Sequence, residues 1–281
     1  MPKRTFVIGH KNPDTDSIVS AVAYAELLRL QGHGNVVAAR QGGVWPETRF
    51  ILERFGIPLP VLVEDVRPRA RDVMTTDPIV ASPEESAYSV GRRLREHRVR
   101  AMPIVDSDHR LAGLITVEDF AHILLTGLDR DRMDRIHLDV KNVVETLGGR
   151  LIFKAHDRRL RDKALVAAMH LESVRSRVEP DIMMVMGDRL DAQRAAIEEG
   201  AGALVITGGL PISSEIERLA REKNVTLISS PHHTFTTVRL LNLSIPISHI
   251  LSRDVLTASV DESLDDLREK VAQQRTIPVV D

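Results

Sequence analysis

The sequence predicts an α/β protein whose first domain is part of a doubly wound parallel sheet, with further α/β domains following it. Three observations support this fold class. Short apolar runs alternate with helical spacing over residues 1–66, and the pattern of residues 71–106 recurs at residues 253–281. A further series of strands and helices lies between the two copies, over about residues 130–248.

Composition excludes several classes of function. The 281 residues suffice for two or three domains, and a net charge of −2 gives no basic surface for nucleic acid or for a membrane. An aromatic content of 3% argues against base-stacking platforms. No apolar run has membrane-spanning length or resembles a signal peptide, so we expect a cytoplasmic protein. Because cysteine is absent, any metal must bind to histidine and carboxylate side chains.

The first domain is predicted to open with the order strand, helix, strand, helix, strand. In such a sheet, ligands bind at the carboxyl ends of the strands. Its first strand is expected to be buried, because it is a short apolar run that ends in Gly9. The predicted elements are, in order, Thr5–Ile8, Ser17–Leu30, Val36–Ala39, Glu47–Phe55 and Val61–Val63.

A candidate metal site follows this first strand. Pro13 forces a turn that can fold Asp14 back beside His10, and the one-residue gap to Asp16 lets the two carboxylates face neighbouring ions. Ions about 3.5–4 Å apart are typical of two-metal hydrolases, and imidazole with carboxylate suits manganese or cobalt. The alternative is that Asp16 or Ser17 only caps the following helix.

Residues 7–18, which read VIGHKNPDTDSI, resemble the opening motif of the DHH-superfamily phosphoesterases and in particular of the family II inorganic pyrophosphatases. Residues 41–43 and the pair Glu47-Thr48 are similar to the second-strand region of that family. The resemblance implies that His10 and Asp14 bind one manganese or cobalt ion and that Asp16 binds the second, with magnesium possible on the substrate.

The family's other metal ligands have no match in residues 17–281, so the resemblance implies half a metal site. The second repeat copy stops at Asp281 within a predicted strand. We therefore expect the sequence to be an N-terminal fragment, with little or no activity alone, because three ligands do not fix two ions.

The repeat resembles a pair of CBS modules, which bind adenine nucleotides. Residues 71–75, RDVMT, return as RDVLT at residues 253–257, and each copy continues into a helix and a proline-containing strand. The family resemblance implies regulation by AMP, ADP, ATP or a diadenosine polyphosphate, and it implies a homodimer in which modules pair across a two-fold axis.

Four residues of the first copy are candidate nucleotide contacts. By the resemblance, Thr116 holds phosphate and Asp119 holds ribose hydroxyls, and Arg98 and Arg100 are additional phosphate partners. The alternatives are structural. Thr116 and Asp119 can form a capping box at a helix start, and the two arginines can lie at a solvated helix end.

The middle region resembles the DRTGG domain, with Thr207-Gly208-Gly209 at the signature position, although the Asp-Arg of the domain's name is not preserved. Free amides in this turn could bind an anion, but we favour a simple connection between elements. His232 and His233 are expected in a loop before a helix at residues 236–243, because no third metal ligand lies near them in sequence.

The predicted order of domains is residues 1–66 for the N-terminal part of a DHH domain, 67–128 for the first CBS module, 129–249 for DRTGG and 250–281 for an incomplete second CBS module. This order predicts metal-dependent hydrolysis of pyrophosphate to two phosphates, regulated by adenine nucleotides. Two alternatives stay open at this point, a non-catalytic adenine-nucleotide sensor and a DHH phosphodiesterase.

Overall fold

A computed structural model describes residues 4–126, 136–157 and 159–281 of the chain. The chain divides into two compact units. The first comprises the residues up to Val73 together with Asp261–Leu267, and the second comprises Met74–Val260 together with Arg268–Asp281. Among the described residues, no helix combines the length and the apolar character that a membrane crossing requires.

The first unit contains a three-stranded parallel sheet in which β1 and β3 flank β2. Residues Thr5 and Val36 are paired, as are Ile8 and Ala39, so the predicted order of elements is confirmed. The bounds are Thr5–Lys11 for β1, Thr15–Leu30 for α1, Val36–Gln41 for β2, Pro46–Arg54 for α2 and Val61–Leu62 for β3.

The prediction that the first strand is buried is wrong. Phe6 of β1 is 45% exposed, whereas Ile18 and Ala25 of α1 and Ala39 of β2 are almost completely buried. The core of this unit therefore lies between α1 and the centre of the sheet. Because β1 is an edge strand of a narrow sheet, its side chains have few neighbours to cover them.

The segment after β3 is held by the start of the second repeat copy. Residues 68–70 and 262–264 exchange two backbone hydrogen bonds, with N···O distances of 2.9 and 3.1 Å. The Asp261 carboxylate also pairs with the guanidinium groups of Arg69 and Arg71. Residues almost 200 positions apart therefore form one local structure, flanked by helices α3 (Ala70–Val73) and α11 (Leu264–Gln273).

The first repeat copy begins the second unit. Helix α4 is capped by Ser86, whose Oγ accepts a hydrogen bond from the Ser89 N–H at 3.2 Å. The strands that follow form an antiparallel hairpin. The elements are α4 (Ala87–Glu96), β4 (Ala101–Val105), β5 (Leu111–Thr116) and α5 (Val117–Thr126).

A five-stranded sheet forms the body of the second unit, in the order β7-β12-β11-β10-β9, with only β7 antiparallel to its neighbour. Strands β10, β11 and β12 are completely buried, as parallel strands covered on both faces are. The strands are β6 (His137–Leu138), β7 (Arg150–Phe153), β8 (Leu160–Arg161), β9 (Ala164–Val166), β10 (Met183–Met186), β11 (Ala203–Ile206) and β12 (Thr226–Ser229).

Five helices accompany this sheet, and the chain ends in a small parallel pair of strands. Gly148 caps one of these helices, at residues 140–147, in the left-handed conformation with φ of 54°. The helices are α6 (Val140–Leu147), α7 (Leu171–Arg175), α8 (Leu190–Glu198), α9 (Ser214–Glu222) and α10 (Thr234–Leu241). A 3-10 turn at Ile247–His249 precedes β13 (Ala258–Ser259) and β14 (Val279–Val280).

One hydrophobic core joins the first repeat copy to the five-stranded sheet. Ile104 and Ile115 of the hairpin belong to the same buried cluster as Val205 of the sheet. The segment after α10 completes the join, because Ser252 exchanges two backbone hydrogen bonds with Leu114 of β5, each 2.9 Å long. The predicted domain boundaries stay predictions, and the one between residues 128 and 129 lies outside the described residues.

Asp162, in the bend between β8 and β9, is a buried carboxyl group with 5% of its surface exposed. Its backbone N–H donates to the Ile136 carbonyl at 3.0 Å. Within the described part of the chain, no donor reaches its Oδ2 atom. Burial therefore raises the pKa of Asp162 to about 6, because a low-dielectric environment disfavours the ionised carboxylate.

We predict that Asp162 makes the fold less stable as the pH rises from about 4 to about 6. The unfolded chain loses this proton near pH 4 and the folded chain only near pH 6, so the folded state is penalised above that range, by roughly 3 kcal/mol at most. Urea unfolding at several pH values checks this. The free energy of unfolding of Asp162→Asn should rise relative to the parent chain across that range, and a difference independent of pH would contradict it.

Candidate functional site

The candidate metal site lies at the carboxyl end of β1, where the strand turns into α1. The pairing register with β2 shifts between Ile8 and Lys11, and Asn12 takes a left-handed conformation with φ of 55°. Gly9 lies directly against the helix, since a Cβ atom at this position would lie 1.9 Å from the Ser17 Oγ and 3.1 Å from the Ser17 carbonyl oxygen. The strand and the first turn of the helix thus approach closely, and the intervening loop is short.

The structure brings His10 and Asp14 together, as the turn at Pro13 predicts. Their Nε2 and Oδ1 atoms are 3.4 Å apart, and both side chains are well exposed, at 60% and 65%. The His10 Nδ1 lies 3.1 Å from the Lys11 carbonyl oxygen, which can only accept a hydrogen bond. Nε2 is therefore the ring nitrogen that faces Asp14, and Nδ1 is the one that faces the backbone.

Asp14 is also the residue that caps α1. Its Oδ1 accepts a hydrogen bond from the Ser17 N–H at 2.9 Å, so the alternative in which Asp16 or Ser17 caps the helix is not what the structure shows. This hydrogen bond, with a smaller contribution from His10, lowers the pKa of Asp14 below its usual range. The carboxylate is therefore ionised at neutral pH, as a metal ligand must be.

Asp16 lies exposed in the first turn of α1. Among the described residues, no three histidine, aspartate or glutamate side chains gather closely enough to hold a metal ion, so Asp16 does not join the His10–Asp14 pair. The pair itself fits manganese or cobalt by its imidazole and carboxylate groups. The three-residue ligand set stays a prediction.

Thr116 and Asp119 of the first repeat copy hydrogen bond to each other. The Thr116 N–H and Oγ1 both donate to Asp119 Oδ2 at 2.7 Å, and the Asp119 N–H donates to Thr116 Oγ1 at 3.3 Å. This reciprocal arrangement is the capping-box alternative at the start of α5. It explains both residues structurally, and contact with a nucleotide stays a prediction.

Of the two candidate arginines, Arg100 lies nearer to the start of α5 than Arg98 does. The Arg100 carbonyl accepts a hydrogen bond from the Val117 N–H at 3.1 Å, which places Arg100 beside the Thr116–Asp119 pair. Arg98 lies where α4 ends, with φ of 55°, and both arginines are exposed. The structure therefore groups Arg100 with Thr116 and Asp119 more closely than it groups Arg98.

The turn at Thr207-Gly208-Gly209 is a connection between elements, as favoured from the sequence. The N–H groups of Gly208 and Gly209 are not free for an anion, because they donate to the carbonyls of His232 and Ser230 at 2.7 and 2.8 Å. Both glycines take a positive φ, of 80° and 64°. His232 and His233 precede α10 directly, which begins at Thr234.

Sequence reasoning missed an Asp-Arg pair that follows the strand next to this turn. Strands β10 and β11 are parallel neighbours that pair Met186 with Ile206, so Asp188-Arg189 and Thr207-Gly208 leave the sheet side by side. The Thr207 Oγ1 donates to the Met186 carbonyl at 3.3 Å. The Asp-Arg pair is therefore present, but it follows the preceding strand. The available signal was that both segments come directly after buried strands.

Family models match both regions of the second unit. A CBS domain matches residues 70–126, and a DRTGG domain matches residues 142–244. The crystal structure of the CBS and DRTGG domains of the regulatory region of Clostridium perfringens pyrophosphatase, complexed with the activator diadenosine tetraphosphate, is similar to this fold. Its TM-score is 0.70 at 25% identity, covering 76% of this chain and 95% of that one. The chain is thus an α/β protein with CBS and DRTGG domains.

Two curated relatives match nearly the whole chain. The cobalt-dependent inorganic pyrophosphatase of Clostridium perfringens is 30% identical over 280 residues, which are 98% of this chain and 51% of that protein. The probable manganese-dependent inorganic pyrophosphatase of Thermotoga maritima is 27% identical over 271 residues, which are 96% of this chain and 49% of that protein. The chain spans about half the length of these relatives. It is a homologue of the manganese- or cobalt-dependent inorganic pyrophosphatases with CBS and DRTGG domains, which confirms the resemblance.

We predict that Thr116→Ala destabilises the second unit by about 1 kcal/mol, because the substitution removes a helix-capping hydroxyl. Urea unfolding measures the loss. Thr236→Ala is the control, since Thr236 is exposed within α10, and its effect should stay below about 0.5 kcal/mol. Equal effects of the two substitutions would show that the capping box contributes nothing to stability.

Proposed function

We propose that this chain forms part of a divalent-metal-dependent enzyme that hydrolyses inorganic pyrophosphate to two phosphates. The observation that carries the proposal is the His10–Asp14 pair at the carboxyl end of β1, in a chain whose relatives over 98% and 96% of its length are inorganic pyrophosphatases. A parallel sheet presents ligands at this end of its strands.

We propose His10 and Asp14 as ligands of one manganese or cobalt ion and Asp16 as a ligand of a second. The His10 Nε2 lies 3.4 Å from the Asp14 Oδ1, and the Asp14 carboxylate is held at the helix N-terminus by the Ser17 N–H. The ions would supply Lewis acidity toward water and toward the phosphate oxygens. Magnesium can accompany the pyrophosphate substrate.

The regulatory part of the proposal is that the CBS and DRTGG domains bind an adenine nucleotide such as AMP, ADP, ATP or a diadenosine polyphosphate. It is supported by the similarity to a regulatory region that binds diadenosine tetraphosphate. Thr116, Asp119 and Arg100 form the candidate contact group, with Arg98 beyond it. A nucleotide regulates an activity only if it binds two conformations of the protein with different affinity. The hydrophobic core that the first repeat copy shares with the five-stranded sheet can transmit such a change of conformation.

We further propose that the chain functions in the cytoplasm as a homodimer, with CBS modules paired across a two-fold axis. Analytical ultracentrifugation tests the dimer.

We predict that the chain binds Mn²⁺ and that His10→Gln and Asp14→Asn each weaken this binding at least about tenfold, because each removes one ligand of the same ion. Electron paramagnetic resonance of free Mn²⁺ measures the affinity. His33→Gln is the control, since His33 is an exposed histidine outside the site. Equal affinity in all variants would contradict the site.

The reaction itself is tested by phosphate release from pyrophosphate with Mn²⁺ or Co²⁺, both in this chain and in the full-length gene product. We expect little release from residues 1–281 alone and clear release from the full-length product. Cleavage of a cyclic dinucleotide without cleavage of pyrophosphate would favour a DHH phosphodiesterase. Nucleotide binding without either activity would favour a non-catalytic sensor.

We predict that Arg100→Ala lowers the affinity for adenine nucleotides about tenfold, because an exposed guanidinium beside the helix start can form charge-assisted hydrogen bonds to phosphate. Isothermal titration with AMP, ADP, ATP and diadenosine tetraphosphate measures this. Arg92→Ala, in the exposed Arg92–Glu96 pair of α4, is the control and should bind like the parent chain. Unchanged binding in Arg100→Ala would remove this residue from the proposed contact group.

A further inference from the structure

Residues 41–48, which run from the end of β2 into α2, contact the metal-site loop at three points. We call this segment the cradle. The first contact is a hydrogen bond from the Asn12 N–H to the Gln41 carbonyl, with an N···O distance of 2.9 Å. It holds the loop at the residue where the backbone becomes left-handed. The cradle includes residues 41–43 and the pair Glu47-Thr48, whose resemblance to the pyrophosphatase family was noted above. None of them is a proposed metal ligand.

The second contact requires a glycine. Gly42 has φ of 139°, and a Cβ atom at this position would lie 3.1 Å from the Pro13 Cδ. Pro13 is buried, so the loop packs directly on the Gly42 backbone. The next residue, Gly43, has no atom within 4 Å of its Cβ position. Only the first of these two adjacent glycines is therefore constrained by the loop.

The third contact is a hydrogen bond between two hydroxyl groups. The Oγ1 atoms of Thr15 and Thr48 are 2.7 Å apart. Thr48 is completely buried, and Thr15 lies between the two aspartates that are candidate ligands. A buried hydroxyl needs a partner, so this hydrogen bond fixes the loop at the point from which Asp14 and Asp16 diverge.

We propose that Gly42 and Thr48 are positioning residues for the metal ligands: they hold the loop of residues 12–16 so that its exposed ligands are oriented before a metal ion binds. This inference rests on the proposed metal site. Exposed ligands on an unsupported loop would lose conformational freedom on binding, which weakens affinity. Contacts on both sides of Asp14 reduce that loss, as groups behind the direct ligands of a metal do.

The test compares Gly42→Ala with Gly43→Ala and Thr48→Val with Thr48→Ser. The first pair places the same methyl group at adjacent positions, one constrained and one open. In the second pair, valine removes the hydroxyl and serine retains it. Two quantities are measured on the whole chain, the dissociation constant for Mn²⁺ and the hydrogen exchange rates of the Asn12 and Ser17 amides in the absence of metal.

The expected result is that Gly42→Ala and Thr48→Val each weaken Mn²⁺ binding about tenfold and accelerate exchange of both amides. Gly43→Ala should match the parent chain, and Thr48→Ser should restore most of the affinity. The inference is overturned if Gly42→Ala and Thr48→Val bind Mn²⁺ as the parent chain does. If Thr48→Val fails to fold, as shown by circular dichroism, Thr15→Val removes the same hydrogen bond from the loop side.

The two levels of the proposal can fail separately. If the parent chain binds no Mn²⁺, the proposed metal site is wrong, and the exchange rates then decide whether the cradle holds the loop. Amide exchange that is faster in Gly42→Ala and Thr48→Val, but not in Gly43→Ala and Thr48→Ser, supports that positioning role. Unchanged exchange in these variants overturns it.

Discussion

The candidate site depends on the close approach of β1 to the first turn of α1. A Cβ atom at Gly9 would lie 1.9 Å from the Ser17 Oγ and 3.1 Å from the Ser17 carbonyl oxygen. The loop between the strand and the helix is short, and the His10 Nε2 lies 3.4 Å from the Asp14 Oδ1. Asp14 also caps the helix. The end of the strand and the start of the helix thus together place both candidate ligands.

The second unit depends instead on a shared hydrophobic core. The hairpin of the first repeat copy and the five-stranded sheet bury residues in one cluster, and the segment after α10 pairs with the edge of the hairpin. Close-packed interiors transmit small displacements, so a ligand at one element has a physical route to the other. The same two domains occur together in the similar crystal structure from Clostridium perfringens.

Much of the fold was predictable because its elements are local and strongly patterned. Strand β2 begins at its predicted residue, Val36, and helix α1 begins within two residues of its predicted start. The exposure of β1 was not predictable, because the residue pattern of one strand does not reveal that the strand lies at the edge of its sheet. At the site, the turn that joins His10 to Asp14 followed from Pro13. The roles of Gly42 and Thr48 did not, since their contacts cross about 30 positions of sequence.

The sequence by itself determined the α/β class, the repeated module and the family resemblance, because periodicity and short motifs are properties of consecutive residues. Only the tertiary structure decided which hydrogen bonds the candidate residues form. It showed that Thr116 and Asp119 bond to each other and that the amides of Gly208 and Gly209 donate to carbonyls of the loop after β12. It also made β10 and β11 neighbours, so the segment that leads to Asp188-Arg189 starts next to the one that begins at Thr207, although the two are distant in sequence.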